Sequence, residues 1–263
     1  MLSIHKYPRT HHIEGSRLQP GDEDLDAVPF DAIAGRHLVV EEKMDGANRG
    51  ISFSPSGELL LQSRGHYLTG GAREKHFTLF KQWATVHTAG LYERLGTRYV
   101  LYGEWLYAKH TVFYDALPHY LMEFDILDTH TSQFLSTARR ADLLEGLPVV
   151  SVRVLFEGHM KRIQELTDLL GSSAFITPDH LQRLREACKR HDLDPERVPR
   201  ETESSRDMEG LYIKVEENGI VTGRYKYVRA GFLTAVFAAE GHWLNRPIVP
   251  NLLQEDVDLF NVV

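Results

Sequence analysis

HLVVEEKMDGANRG, residues 37–50, decides how this 263-residue chain is read. His37 to Val40 forms a short apolar run of strand length, and it leads through Glu41 and Glu42 into Lys43-Met44-Asp45-Gly46. A lysine delivered by the end of a buried strand is a candidate reactive group, since burial favours the neutral amine over the ammonium. Alone, Lys-x-Asp-Gly is a short pattern that turns with solvated lysines also carry. The ordered series that follows it gives it weight.

Gly50–Phe53 and Glu58–Gln62 flank Ser54-Pro55-Ser56-Gly57, a hairpin turn, and Ser63-Arg64-Gly65 comes directly after. Tyr99–Tyr107 and His119–Leu127 are dense in aromatic and β-branched residues and read as strands. The first holds Tyr102-Gly103-Glu104-Trp105; the second holds Met122-Glu123-Phe124-Asp125-Ile126. Gly210–Val215 and Ile220–Val228 are joined through Asn218-Gly219, whose positive φ angles suit a tight hairpin. Glu209 opens that hairpin, Lys214 lies on its first strand, and Arg224-Tyr225-Lys226-Tyr227 lies on its return strand.

Helix-spaced apolar residues predict one or two helices over Lys75–Leu95, and further helices over Ser136–Leu144, Lys161–Leu170 and Pro178–His191. Ser136 and Thr177 are the expected N-caps, with Pro178 at a first helical position. The stretch to about Asp31 reads as irregular covering structure, and Asp192–Asp207 as a loop. The fold class is therefore α+β, antiparallel sheets with packed helices, without the strand-helix alternation of doubly wound proteins.

Composition narrows the function. Hydrophobic residues at 42% and charged residues at 25% describe an ordinary globular chain, not a disordered or fibrous one. One cysteine, Cys188, excludes a disulfide framework and a cysteine-rich zinc site. No Walker-type loop, Gly-x-Gly-x-x-Gly fingerprint, Gly-x-Ser-x-Gly elbow or His-Glu-x-x-His occurs, so any nucleotide chemistry uses another architecture. No signal peptide is read at the N-terminus, and the most apolar stretch, Gly231–Ala239, is shorter than the ~20 residues that span a bilayer. A soluble cytoplasmic protein with no membrane partner is expected. The net charge of −7 argues against indiscriminate polyanion binding, while the Arg183/Arg185/Lys189/Arg190 and Arg224/Lys226/Arg229 groups leave room for a local basic face.

Taken in order, these motifs resemble the covalent nucleotidyltransferases: ATP-dependent RNA and DNA ligases and mRNA capping enzymes. The resemblance spans about Val39 to Arg229 and implies a ligase adenylylation domain over residues 36–230. Around it lie an N-terminal segment 1–35, a helical insertion at about 160–192 and a short tail 231–263. It also implies roles. Lys43 takes the nucleotide covalently, Glu104 contacts the ribose, and Phe124 packs on the base. Glu209, with Glu104, holds Mg²⁺ or Mn²⁺; Lys226 and Arg224 engage the α-phosphate; Arg64 grips phosphate or ribose. Glu42 and Lys214 are further nucleotide neighbours. Carboxylate oxygens suit those hard cations, and positive neighbours would favour a neutral Lys43 amine.

Lys43-Met44-Asp45-Gly46-Ala47-Asn48 resembles the Lys-x-x-Gly-x-Asn of nick-sealing RNA ligases, in which the asparagine assists the later, strand-joining steps. Arg224 departs from the lysine of the phage-type enzymes: a cation is kept but its geometry is not. The implied activity is joining of RNA 3′-hydroxyl and 5′-phosphate ends, or sealing of nicked RNA duplex, with ATP as AMP donor. Residues 230–263 are too few for the C-terminal barrel of DNA ligases and capping enzymes, which implies either weak RNA binding or a partner that heals or holds RNA ends. The competing readings are a capping-type guanylyltransferase, a minimal DNA ligase, and an inactive module that binds nucleotide or RNA ends.

Overall fold

Asn218 and Gly219 both adopt positive φ, 53° and 77°, and fold the chain back into a long hairpin. We describe it from a computed structural model covering residues 4–18, 26–232 and 248–261. In chain order the strands are β1 (His11–Ile13), β2 (Ala27–Val28), β3 (His37–Lys43), β4 (Ala47–Phe53), β5 (Leu59–Ser63), β6 (Tyr99–Trp105), β7 (Leu121–Asp128), β8 (Gln133–Leu135), β9 (Val150–Ser151), β10 (Val154–His159), β11 (Gly210–Glu217) and β12 (Ile220–Val228). The helices are α1 (Thr78–Val86), α2 (Thr88–Leu95), α3 (Thr137–Leu144), α4 (Ile163–Thr167), α5 (His180–Arg190) and α6 (Arg197–Arg200).

The strands join into one hydrogen-bonded sheet in the order β10-β3-β11-β12-β8-β7-β6-β4-β5, every neighbour along that path antiparallel. Parallel pairing adds β1 to β12, β2 to β1 and β9 to β7. Strand alternation divides the residues. Leu38, Val40, Leu211, Ile213 and Val215 bury with Ile13, Phe30 and Ile33 in one apolar cluster. Glu41, Lys43, Tyr212, Lys214, Arg224 and Lys226 occupy the other parity of β3, β11 and β12 and face away from it. A second cluster packs Phe80, Trp83 and Leu91 of α1 and α2 against Ile51, Leu101, Trp105 and Ile126.

Four expectations are corrected. The described part of the N-terminal stretch is not wholly irregular: His11–Ile13 finds its ladder in β12, pairing His11 with Tyr225 and His12 with Lys226. Thr177 does not cap α5, because its hydroxyl donates to Asp115 Oδ2 at 2.5 Å; Asp179 takes the cap position and Pro178 lies outside the helix. The helix expected over Lys161–Leu170 shrinks to Ile163–Thr167, since Arg162 is extended and the Leu169 and Leu170 amides bond three residues back in tightened turns. The Asp192–Asp207 loop contains the single turn α6. Ser136 caps α3 as expected, accepting from the Arg139 amide. Trp243–Pro247 and most of the apolar stretch after Gly231 lie outside the described residues. Among the described residues no helix is long and apolar enough to cross a membrane.

Beneath the sheet's polar face lies a buried charge network. Arg140 bridges Glu41 at 2.7 Å and Glu123 at 2.8 Å, and Lys214 reaches Glu41 at 2.8 Å and Asp125 at 3.4 Å. It ties the neighbouring strands β3 and β11 to β7, from which β12 and β8 separate them in the sheet. Removing one partner of a buried pair leaves a desolvated charge, so Arg140→Ala should lower unfolding free energy by about 3–5 kcal/mol. Arg36→Ala, which breaks the exposed pair with Glu217, should cost under about 1 kcal/mol. Urea unfolding at pH 7 checks both; equal losses would contradict the assignment.

Candidate active site

Lys43 is the last residue of β3, and its ladder partner is Gly210, the first residue of β11. Glu209 stands one residue before that ladder. The register therefore sets the two side chains together: Lys43 Nζ lies 2.5 Å from Glu209 Oε1, with the lysine side chain 21% and the glutamate 2% exposed. Two glycines make this closeness possible. A Cβ on Gly210 would meet the Tyr227 carbonyl oxygen at 1.9 Å, and one on Gly46 would lie 2.7–2.9 Å from Leu106, Trp105 and Glu104. Gly46 thus lets the turn after Lys43 press against the strand that carries Glu104. Asp45 builds that turn: its Oδ2 accepts from the Thr111 and Val112 amides at 2.7 Å each.

A cleft of about 370 Å³ opens around Lys43, within the range of small-molecule sites. Glu42, Lys43, Asn48, Arg64, Glu104, Phe124 and Lys226, seven of the expected residues, line it. Asn48 pairs with Glu104 across β4 and β6, which places both on the same wall. Glu209, Lys214 and Arg224 do not line it; Glu209 is buried behind Lys43 and meets the site through that lysine. Lys214 is fully buried under the floor, donating to the Phe124 carbonyl and to Glu41. Its ladder partner on β3 is Val39, four residues from Lys43, or about 13 Å at 3.3 Å per residue. Arg224 packs its guanidinium 3.7 Å over the Phe134 ring and 5.5 Å from Tyr7.

Other lining residues were not anticipated. Tyr7, Pro8, Arg9 and Thr10 form one wall. The Tyr7 ring meets Phe124 edge-on at 5.2 Å, and its hydroxyl donates to Asp125 at 2.5 Å and bonds Tyr212. Tyr212 stands 6.1 Å from Phe124, so with Tyr7 the cleft has three aromatic rings. The Tyr-Pro-Arg-Thr run carried no signal of its own; the pairing of β1 with β12 on one side, and the bonds of Gln62 and Tyr102 to the His5 carbonyl on the other, bring it here.

Charge around Lys43 runs opposite to expectation. Burial alone would push its ammonium down, but Glu209's charge and hydrogen bond, with Glu104 and Asp45 behind, outweigh burial and hold it above the ordinary lysine value. Burial pushes Glu104 up to about 8; Lys43 opposes that rise and Glu209 reinforces it. Burial also pushes Glu42 up to about 7, against Ser173 and the Arg153 charge. Glu104 and Glu209 are thus close, desolvated carboxylates that need a cation, and oxygen donors of this kind suit Mg²⁺ or Mn²⁺. Among the described residues no group of three or more acidic, His or Cys side chains gathers into a complete metal cage. A pair of carboxylates that leaves the remaining ligands to phosphate and water fits a magnesium site.

The sequence profile of the RNA ligase family matches residues 36–228. The chain belongs to the RNA ligase family. A Naegleria gruberi RNA ligase variant solved with AMP and Mn superimposes with a TM-score of 0.53 at 15% identity, covering 89% of this chain and 59% of that one. Another variant of that enzyme, with ATP and Mn, gives 0.50 at 16% over 79% and 53%. An archaeal ATP-dependent RNA ligase gives 0.51 at 18% over 87% and 49%. This chain therefore spans about half the length of these solved relatives, and the likeness is one of fold. Comparison with curated proteins returned no match.

The raised Glu104 predicts a pH dependence. Its folded value, about 8, exceeds the ~4.3 of an unfolded glutamate, so the folded protein keeps a proton that the unfolded chain releases. The stability this gives is full below the unfolded value and is lost as pH rises through 8. In metal-free buffer the urea midpoint should fall between pH 5.5 and 8.5, and Glu104→Gln should flatten that fall. An unchanged slope in the variant would contradict it.

Proposed function

We propose that this chain is an ATP-dependent RNA ligase that adenylylates Lys43 and joins an RNA 3′-hydroxyl to a 5′-phosphate. The observation that carries the proposal is the placement of Lys43 against Glu209 at one end of a cleft walled by Glu104, Phe124, Asn48 and Lys226, in a chain of this family.

Lys43 Nζ loses its proton and forms a bond to the α-phosphorus of ATP as the bond to pyrophosphate breaks. The AMP passes to an RNA 5′-phosphate oxygen, and a 3′-hydroxyl then attacks that 5′-phosphorus and releases AMP. In the nucleotide-free protein the Lys43 ammonium occupies Glu209, so the two must part before attack. Glu209 and Glu104 would hold a divalent cation, which when bound neutralises triphosphate and leaving-group charge. Lys226 and Arg64, on the cleft wall, complement the charge that builds on the α-phosphate. Phe124 and Tyr212 offer flat faces to a purine, with Tyr7 bracing Phe124 from its edge.

Likeness to the solved relatives favours ATP: the archaeal relative is ATP-dependent, and the two Naegleria structures compared above hold ATP or AMP with Mn. The substrate proposed is an RNA end or nicked duplex, and the buried thiol of Cys188 fits a reducing cytoplasm. With a net charge of −7, the chain is also proposed to rely on a partner that holds or heals RNA ends.

Lys43 carries AMP through the first two steps and takes no part in the third, so Lys43→Ala should abolish sealing with ATP yet still seal RNA supplied with a pre-adenylylated 5′ end. Asn48→Ala should form the lysyl adduct but slow the later steps about tenfold or more. Labelled nicked duplex resolved on a denaturing gel reads both. Loss of sealing of the pre-adenylylated end in Lys43→Ala would contradict the division of labour. Full sealing by the wild-type chain alone at low nanomolar enzyme would remove the partner.

A further inference from the structure

Glu209 has a weakness of placement. The β3–β11 ladder stops at the Lys43–Gly210 pair and the β11–β12 ladder at Gly210–Val228, so Glu209 lies just beyond both. Strand pairing alone does not fix the carboxylate that meets Lys43. Arg229, the residue after β12, grips the chain on both sides of it. Its amide donates to the Glu209 carbonyl at 3.2 Å, and its Nε donates to the Met208 carbonyl at 2.7 Å. The same guanidinium reaches Glu203 Oε2 at 2.8 Å, Ser205 Oγ at 3.2 Å and the Asp207 carbonyl at 3.4 Å.

Glu203 carries the connection onward. Its amide donates to the Thr111 carbonyl at 2.9 Å. The Thr111 amide in turn donates to Asp45 Oδ2, two residues after Lys43. The path from Lys43 along the chain to Asp45, then through Thr111, Glu203, Arg229 and Glu209, returns to Lys43, a ring of hydrogen bonds closed by the backbone around the reactive pair. Thr111, Glu203, Met208 and Glu209 are all buried, so water competes poorly for these bonds. The loop before Glu209 is also anchored to the 171–173 segment, by the Met208 amide on the Gly171 carbonyl at 3.0 Å and the Ser173 amide on the Arg206 carbonyl at 2.7 Å. Those anchors hold the other side of Met208 and do not involve Lys43's turn.

We infer that Arg229 and Glu203 are positioning residues, which act through this ring to hold Glu209 in register with Lys43. A planar fork is required, because one cation meets carbonyl, hydroxyl and carboxylate oxygens in several directions at once. Lysine at 229 keeps the charge and loses the fork. The functional half of the test rests on the proposed ligase reading; the structural half does not.

The first measurement is amide hydrogen exchange of the nucleotide-free protein. Arg229→Lys should speed exchange in the peptide holding Glu203–Leu211 by about tenfold or more while the β3 peptide His37–Lys43 stays protected. The second is single-turnover formation of the lysine adduct. Its limiting rate should fall about tenfold or more, because a small misplacement costs a large factor, with the ATP concentration at half-rate within about threefold of wild type. Glu203→Gln should move both readouts the same way by less, and the double variant should be no worse than Arg229→Lys, since both break one ring. If Arg229→Lys does not unfold cooperatively, Glu203→Gln, which keeps shape and an acceptor, carries the test alone. Unchanged exchange in that peptide, or an unchanged limiting rate beside an active wild type, would overturn the inference. A wild type that forms no adduct would instead refute the ligase reading and leave the exchange result to judge the ring.

Discussion

Everything in the cleft depends on one ladder pair, Lys43 with Gly210. β3 and β11 meet at their ends there, and the register puts an amine and a carboxylate from residues 166 positions apart within 2.5 Å. A slip of one residue would turn Lys43 to the apolar face beside Leu211 and Ile213. Gly210 protects the register, because any side chain at that point would strike the Tyr227 carbonyl. The cost is electrostatic. In the resting protein Lys43 is held as an ammonium, so on the proposed reading the ion pair that places the nucleophile also keeps it unreactive until another cation and a phosphate take over its partners.

The charged floor under the cleft serves the same register from the other side. Glu41 lies two residues before Lys43 on the same face and is gripped by both Arg140 and Lys214. Arg140 comes from α3 and also holds Glu123 on β7, so one guanidinium sets the spacing between the strand of Lys43 and the strand of Phe124. A buried network of this kind contributes little net stability over apolar packing. What it provides is a single arrangement, since three carboxylates and two cations can be satisfied together only when β3, β7 and β11 are in place.

The sequence made the motifs legible because each is local. Lys43 at a strand end, the Asn218-Gly219 turn and the Ser136 cap follow from residues next to one another in the chain. Strand alternation even fixes which face Lys214 and Arg224 share with Lys226. It does not say how far along the strand each side chain lies from Lys43, and that distance removes Lys214 and Arg224 from the cleft wall. Tyr7 and Thr10 were invisible for a different reason: they reach the cleft through a parallel strand paired with residues more than two hundred positions away. The environment of Lys43 was misjudged as cationic, because spacing reveals charges but not which of them burial brings into contact. Thr177 looked like a cap and serves Asp115 instead, a competition between local and tertiary partners that local pattern cannot decide.

The central claim is that Lys43 is the residue to which nucleotide becomes bonded. Intact-mass spectrometry with peptide mapping, before and after incubation with Mg²⁺ and either ATP or GTP, tests it most directly. The account predicts a gain the size of AMP, on the peptide containing Lys43, from ATP and not from GTP. A gain the size of GMP would place the chain with the capping enzymes. An adduct on another residue, or none in protein that also carried none before incubation, would contradict the account.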